Sequence, residues 1–166
     1  MFKIEPINKG HRAKHFDCGE AELNTYLKQF ARKNDTSDIG RTYVARRPDE
    51  ADILGYYTIS TGAVKFHQLP ADLKLPRYPT PTVHIGRLAT DLTVQGQGLG
   101  EALLFDALQK AAAASEVVGI KIVELIAIHD KAKSFYLQYG FTPLKDEPFH
   151  LYLNIETVRE VLQSLG

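Results

Sequence analysis

The sequence predicts a single domain, residues 1–166, of mixed α/β class built on one sheet. Its length suits one core of ordinary size. In the first half, two β-branched and aromatic segments flank a polar loop and read as a hairpin. In the second half, a strand, a glycine-rich turn, a long helix and another strand follow in succession. That order is a βαβ unit, whose two strands run parallel with a right-handed crossover.

Phe2 and Ile4 alternate with Lys3 and Glu5, the pattern of a short half-buried strand. Ala21 to Lys33 reads as one amphipathic helix, because Leu23, Tyr26, Leu27, Phe30 and Ala31 fall on one face. The rest of its surface carries Lys28, Arg32 and Lys33. Asn34 to Gly40 is a turn-rich break. The hairpin pairs Arg41–Arg46 with Ile53–Ser60 across the loop 47–52. Leu69 to Pro81 holds four prolines and is expected to continue neither a strand nor a long helix.

Val83 to Val94 reads as a strand, Gln95 to Gly100 as a turn and Glu101 to Val118 as a helix. Leu103, Leu104, Ala107, Leu108, Ala111 and Ala112 form its apolar face, and Gly119 stands where a C-cap glycine belongs. Lys121–Ile128 is a second strand and Lys131–Tyr139 a short helix. A strand near Phe149–Leu153 precedes a final helix, Ile155–Leu165, which Asn154 is placed to cap.

Composition excludes several classes. Hydrophobic residues make up 44% and charged residues 24%, which is a globular balance rather than a disordered one. The single cysteine, Cys18, permits no internal disulfide and reads as a buried small hydrophobe. No apolar run approaches the roughly 20 residues of a membrane span, and the first residues hold no apolar signal region, so a cytoplasmic protein is expected. His11 and His15 have helical spacing, but no Glu or Cys completes a zinc pattern, and no metal is expected.

Net charge is zero, yet residues 1–47 carry ten Lys/Arg against six acids, while residues 101–166 carry six against nine. A basic N-terminal third suits either a solvated helix face or a phosphate-rich partner.

The chemistry concentrates at Gln95-Gly96-Gln97-Gly98-Leu99-Gly100. Three alternate glycines between a strand and a helix let the backbone turn tightly and approach a ligand. Amides at a helix start, with the positive end of its dipole, bind anions, so a phosphate or pyrophosphate is expected here. A Walker A loop would need Lys and Ser/Thr, and here Glu101 follows the last glycine. A dinucleotide fold usually puts such glycines in its first βα unit, whereas more than 80 residues precede these.

Gln95, Gly98 and Gly100 in Gln-x-x-Gly-x-Gly spacing resemble the acyl-CoA pyrophosphate loop of the GNAT superfamily of N-acetyltransferases. Ala132, Phe135, Tyr136, Gly140 and Phe141 are similar to that family's A-x-x-F-Y-x-x-x-G-F segment, in the right order and on the right elements. A narrower resemblance rests on Phe16-Asp17-Cys18-Gly19, Leu23-Asn24-x-Tyr26-Leu27, Gly55-Tyr56-Tyr57-Thr58, and Ile85-Gly86-Arg87-Leu88-Ala89 with Asp91. These segments resemble the acetyltransferase toxins of bacterial toxin–antitoxin pairs, which acetylate the α-amino group of aminoacyl-tRNA and so block translation.

The resemblance implies a GNAT fold: a central mixed, largely antiparallel sheet with one parallel, splayed strand pair, flanked by helices. It also implies acetyl-CoA as co-substrate, direct transfer in a ternary complex, a ribbon-helix-helix antitoxin as partner and a homodimer. The pyrophosphate would sit on the loop Gln95–Gly100, through amides of Gln97, Gly98, Leu99 and Gly100. The pantetheine arm would run along Leu88, Ala89 and Thr90, with Phe135 beside it. Tyr136 would be the general acid, and Lys28, Arg32, Lys33, Arg41, Arg46, Arg77 and Arg87 would meet the tRNA.

His84, Asp91, Glu124 and His129 are candidate bases by position. An α-amino group, with a pKa of about 7.7, is partly neutral already, so water also suffices. Two other readings stay open: a GNAT enzyme for a small amine or protein amine, and a catalytically silent acyl-CoA-binding module.

Overall fold

The computed structural model describes residues 1–165. Its strands are β1 (Lys3–Pro6), β2 (Arg41–Arg46), β3 (Gly55–Val64), β4 (Thr80–Thr90), β5 (Ile122–Ile126), β6 (Thr142–Leu144) and β7 (Glu147–Asn154). Its helices are α1 (Ala21–Gln29), α2 (Ala31–Thr36), α3 (Leu99–Ser115), α4 (Asp130–Leu137) and α5 (Ile155–Leu165). The strands form one sheet in the order β1-β2-β3-β4-β5-β7-β6, with β4 and β5 parallel as the βαβ reading requires. Contacts group the chain into two compact units, residues 1–60 with 86–107, and residues 61–85 with 108 onward.

In the first unit, β2 pairs antiparallel with β1 and β3. Phe16, Leu23, Leu27, Ala31, Val44, Ile53, Tyr56 and Ala89 form a buried cluster that joins α1 and α2 to the strands. The Tyr56 hydroxyl donates to the Leu23 carbonyl at 2.8 Å, and that of Tyr57 to Asp106 at 2.5 Å. At the sheet's outer strands, Glu5 accepts from Arg46 at 2.9 Å and pairs with His11 at 2.7 Å. Those two partners hold its carboxyl well down, at about 2.

The expected helix 21–33 is two helices, broken at Phe30 (φ −121°). Asp35 accepts from the Thr42 amide at 2.9 Å, which ties α2 to β2. Phe30 is 45% exposed, although it lies on the apolar stripe.

In the second unit, β5 pairs parallel with β4 and antiparallel with β7, and β6 closes a hairpin onto β7. Val64, Leu69, Ile122 and Leu144 are buried together, and two short 3₁₀ turns follow β3, Phe66–Gln68 just before the proline-rich segment and Ala71–Leu73 within it. Pro81 lies within β4, contrary to expectation. It has no N–H to give, but its carbonyl accepts from Lys121 at 3.0 Å and the ladder to β5 starts one residue later.

Other boundaries also differ from expectation, β3 running over Gly55–Val64 rather than Ile53–Ser60. β4 stops at Thr90 because Asp91 accepts from the Thr93 amide and caps a 3₁₀ turn over Leu92–Val94. α3 starts at Leu99, inside the glycine pattern, and stops at Ser115, whose hydroxyl donates to the Ala112 carbonyl at 2.6 Å. Gly119 is therefore no C-cap; it lies beyond a short turn and has no positive φ. The Asn154 cap is as expected, with its side-chain oxygen accepting from the Glu156 amide at 3.1 Å.

Candidate active site

Within the glycine loop, Gly96 and Gly98 have φ of +81° and +82°. A Cβ built on either would meet nothing within 4 Å, so the backbone conformation, not crowding, selects glycine and leaves the approach to the backbone open. The Gly98 carbonyl accepts from Ala102 at 3.1 Å, which begins α3. The amides of Leu99 and Gly100 then lie in the first turn, where the helix supplies no carbonyl for them. Donors, dipole and open space all fit a diphosphate.

Gln95 does a different task from its neighbours. Its side-chain amide donates to the Thr90 carbonyl at 3.2 Å and reaches the Cys18 carbonyl at 3.5 Å, so it fastens the loop to the end of β4.

The same corner gives a task to Asp17, Asn24 and Asp91, three residues of the narrower resemblance. Asp91 is buried and accepts from the Asp17 amide at 3.0 Å, the Thr93 amide at 2.9 Å and the Thr93 hydroxyl at 2.7 Å. Burial pushes its carboxyl up, but these donors outweigh burial and hold it below the usual range. The Leu92 amide answers by donating to the Asp17 carbonyl at 2.8 Å.

Asp17 uses its own side chain inside the turn, accepting from the Gly19 amide at 2.9 Å and from Asn24 at 3.0 Å. Asn24 in turn accepts from the Cys18 amide. Asp17–Gly19 with Asn24, and Asp91–Thr93, are thus two halves of one latch, which ties the start of α1 to the end of β4. Cys18 is buried in the adjoining cluster, and burial pushes its thiol up.

In the second unit, Tyr136 is 7% exposed, packed edge-on against Phe135 and Phe141 with ring centroids 5.1 and 5.7 Å away. Burial pushes its phenol well above the ordinary value, so it keeps its proton at neutral pH. No described residue bonds its hydroxyl, and no unbonded side-chain polar atom among them is sealed from solvent. The ring is fixed and the O–H is free to act. Phe135 is half-buried and stacks edge-on with Tyr139, consistent with packing.

The four candidate bases separate by what they touch. Asp91 is spent on the latch. His129 is the N-cap of α4, with Nδ1 accepting from the Ala132 amide at 3.1 Å. Glu124 and His84 sit level on β5 and β4 and bond each other at 2.9 Å.

The basic residues divide similarly. Lys28, Arg32 and Lys33 are exposed and line one groove of about 810 Å³, joined there by Lys14, which the sequence reading missed. Arg77 is exposed in the proline-rich segment. Arg41 is held by Asp38 at 2.6 Å. The Arg87 guanidinium lies 3.5 Å over the Tyr26 ring, which stacks on Tyr56. Arg46 is given over to the fold: its side chain is 17% exposed, bonded to Glu5 and to the carbonyls of Arg47 and Pro48.

The acetyltransferase (GNAT) domain matches residues 38–143. A tRNA-acetylating toxin of Mycobacterium tuberculosis is 31% identical over 149 residues, 89% of this chain and 88% of the relative. Among solved structures, a tyrosine-to-phenylalanine mutant of KacT gives a TM-score of 0.92 at 35% identity, over 96% of this chain and 98% of that one. AtaT complexed with acetyl-methionyl-tRNAfMet gives 0.90 at 31% identity, over 98% and 99% of the two chains. A tyrosine-to-phenylalanine mutant of AtaT, bound to acetyl-CoA and to the C-terminus of the antitoxin AtaR, gives 0.85 at 29% identity, over 97% and 98%.

Proposed function

This chain belongs to the GNAT acetyltransferase family, and from that membership we propose that it acetylates the α-amino group of aminoacyl-tRNA and so halts translation. One observation carries the choice of acceptor: the likeness to AtaT in its complex with acetyl-methionyl-tRNAfMet runs along 98% of this chain. The exposed cations Lys14, Lys28, Arg32 and Lys33 in one groove support a polyanionic acceptor.

Acetyl-CoA, when bound, supplies the activated acetyl group as a thioester. The amides at the start of α3 bind its diphosphate, and the backbone of Leu88–Thr90 orients the arm that leads to the sulfur. Such anchoring turns a bimolecular reaction into one of adjacent, aligned partners. Tyr136 holds a proton for the departing thiolate, a role its protonated phenol and unbonded hydroxyl support.

The proposal extends to a ribbon-helix-helix antitoxin as partner, to a homodimer, with the Phe149–Leu165 region as its surface, and to a cytoplasmic location. The complex of AtaT with AtaR supports an antitoxin, and no described helix is long and apolar enough to cross a membrane.

Incubation with labelled acetyl-CoA tests the acceptor, with aminoacyl-tRNA offered beside free amino acids and polyamines. Label is expected on aminoacyl-tRNA. Label confined to polyamines would move the chain to the small-amine enzymes, and binding without any transfer would make it a silent acyl-CoA module.

A further inference from the structure

We propose that His84 accepts the proton of the incoming amine, with Glu124 as the positioning residue that fixes its imidazole. The inference rests on the acetyl-transfer reading above and adds to it the group that makes the amine nucleophilic.

The Glu124 carboxylate is buried and surrounded by donors. Thr82 Oγ1 lies 2.9 Å from Oε2, His150 Nε2 lies 2.7 Å from Oε1, and His84 Nδ1 lies 2.9 and 3.0 Å from the two oxygens. Burial pushes this carboxyl up, but those donors outweigh it and keep it below the usual range, so it stays ionised. A carboxylate only accepts, so both imidazole nitrogens that touch it carry hydrogen. In neutral His84 the lone pair is therefore on Nε2, which no described residue bonds. The His84 side chain is 32% exposed, so that nitrogen is reachable. His150 is more enclosed, and its Nδ1 faces Glu147 at 3.8 Å.

Position matters as much as tautomer. The parallel ladder runs from Thr82↔Ile122 to Ile85↔Leu125 and ends there, although β4 continues to Thr90. His84 and Glu124 are thus the last level pair on their face before the strands cease to pair, on the same strand as the Leu88–Thr90 backbone along which the resemblance runs the pantetheine arm.

The cluster is also built to close tolerance. A Cβ on Gly62 of β3 would lie 2.7 Å from Thr82 Oγ1, 3.0 Å from Glu124 Oε2 and 3.4 Å from His84 Cβ, so only glycine leaves room for it. The groups around His84 are Thr82 on its own strand, Gly62 on β3, Glu124 on β5, and His150 with Glu147 on β7; among the described residues no Lys or Arg is bonded to the cluster.

The protons balance. The ammonium gives one proton to His84 Nε2, and the imidazolium is paired with Glu124. The freed nitrogen lone pair forms the N–C bond to the acetyl carbon, and the C–S bond breaks. The sulfur takes the Tyr136 proton, and the nitrogen's second proton restores the phenol. The one proton remaining on His84 returns to water.

Two measurements test this. In the ¹⁵N-labelled chain, long-range imidazole correlations should show His84 as the Nδ1–H tautomer, and Glu124→Gln should shift that population; an Nε2–H tautomer in the unmodified chain overturns the proposal. In kinetics, His84→Gln should lower kcat/KM for aminoacyl-tRNA by about 10²-fold near pH 6, with unchanged acetyl-CoA affinity. The deficit should shrink above about pH 8, where an α-amino group is already neutral. No deficit, or an equal one at every pH, overturns the assignment. A failure of the unmodified chain to acetylate aminoacyl-tRNA would count against the acceptor reading, and the tautomer measurement would still decide on His84.

Discussion

Tyr136 combines two properties that usually exclude one another, a ring locked by aromatic neighbours and a hydroxyl with no protein partner. Removing that oxygen leaves the packing intact. Tyr136→Phe should therefore bind acetyl-CoA with unchanged affinity, measured calorimetrically, while kcat falls by about 10²–10⁴-fold. Unchanged turnover would remove the phenol from the chemistry. At this scale the sequence was partly legible. The resemblance of Phe135, Tyr136 and Gly140 to a family segment singled out the tyrosine, and its free hydroxyl emerges only from the packing. What Arg46 does was hidden, because a guanidinium's availability depends on Glu5, which is far from it in sequence and comes within reach, diagonally across the ladder, only once β1 and β2 pair.

Among the elements, the meeting of Phe16–Gly19 with the end of β4 decides most. Strand, turn and helix were readable there from periodicity and glycine spacing. The latch was not, because it is made of side chain to main chain bonds between residues 74 positions apart. The same kind of bond, Thr42 amide to Asp35, ties down α2 beyond the break at Phe30, which the unbroken apolar stripe did not reveal. Asp91→Ala strips three hydrogen bonds from one buried carboxylate and leaves the Asp17 and Thr93 amides without their acceptor. A loss of about 2–3 kcal/mol is expected, read as a lower denaturation midpoint, with amide exchange rising first around residues 16–24. Asp91→Asn, which keeps the acceptor oxygen, should recover part of it.

For the whole molecule, the charge layout visible in the sequence becomes specific only where the fold gathers cations that are not already paired. Lys14, Lys28, Arg32 and Lys33 share one groove, whereas Arg41 and Arg46 are neutralised by acids beside them. Each of Lys28→Ala, Arg32→Ala and Lys33→Ala should weaken tRNA binding modestly and reduce the slope of log affinity against log salt by about 1. Arg46→Ala should leave that slope alone and lower stability instead. Titrating binding at several salt concentrations separates the two classes. A slope untouched by all three groove substitutions would remove the groove from the acceptor's path.

The latch at Asp91 has a consequence for exchanging parts between related chains. What Asp91 and Leu92 grasp is the main chain of residue 17, through its amide and its carbonyl, while the side chain there is occupied within its own turn. The seam is thus indifferent to the identity of the residue that crosses it. A swapped N-terminal segment that brings its own self-contained turn, and apolar residues to match Leu23, Leu27 and Ala31, keeps this grip, so hybrids joined in this region should exchange α1 and α2 without redesign of the end of β4.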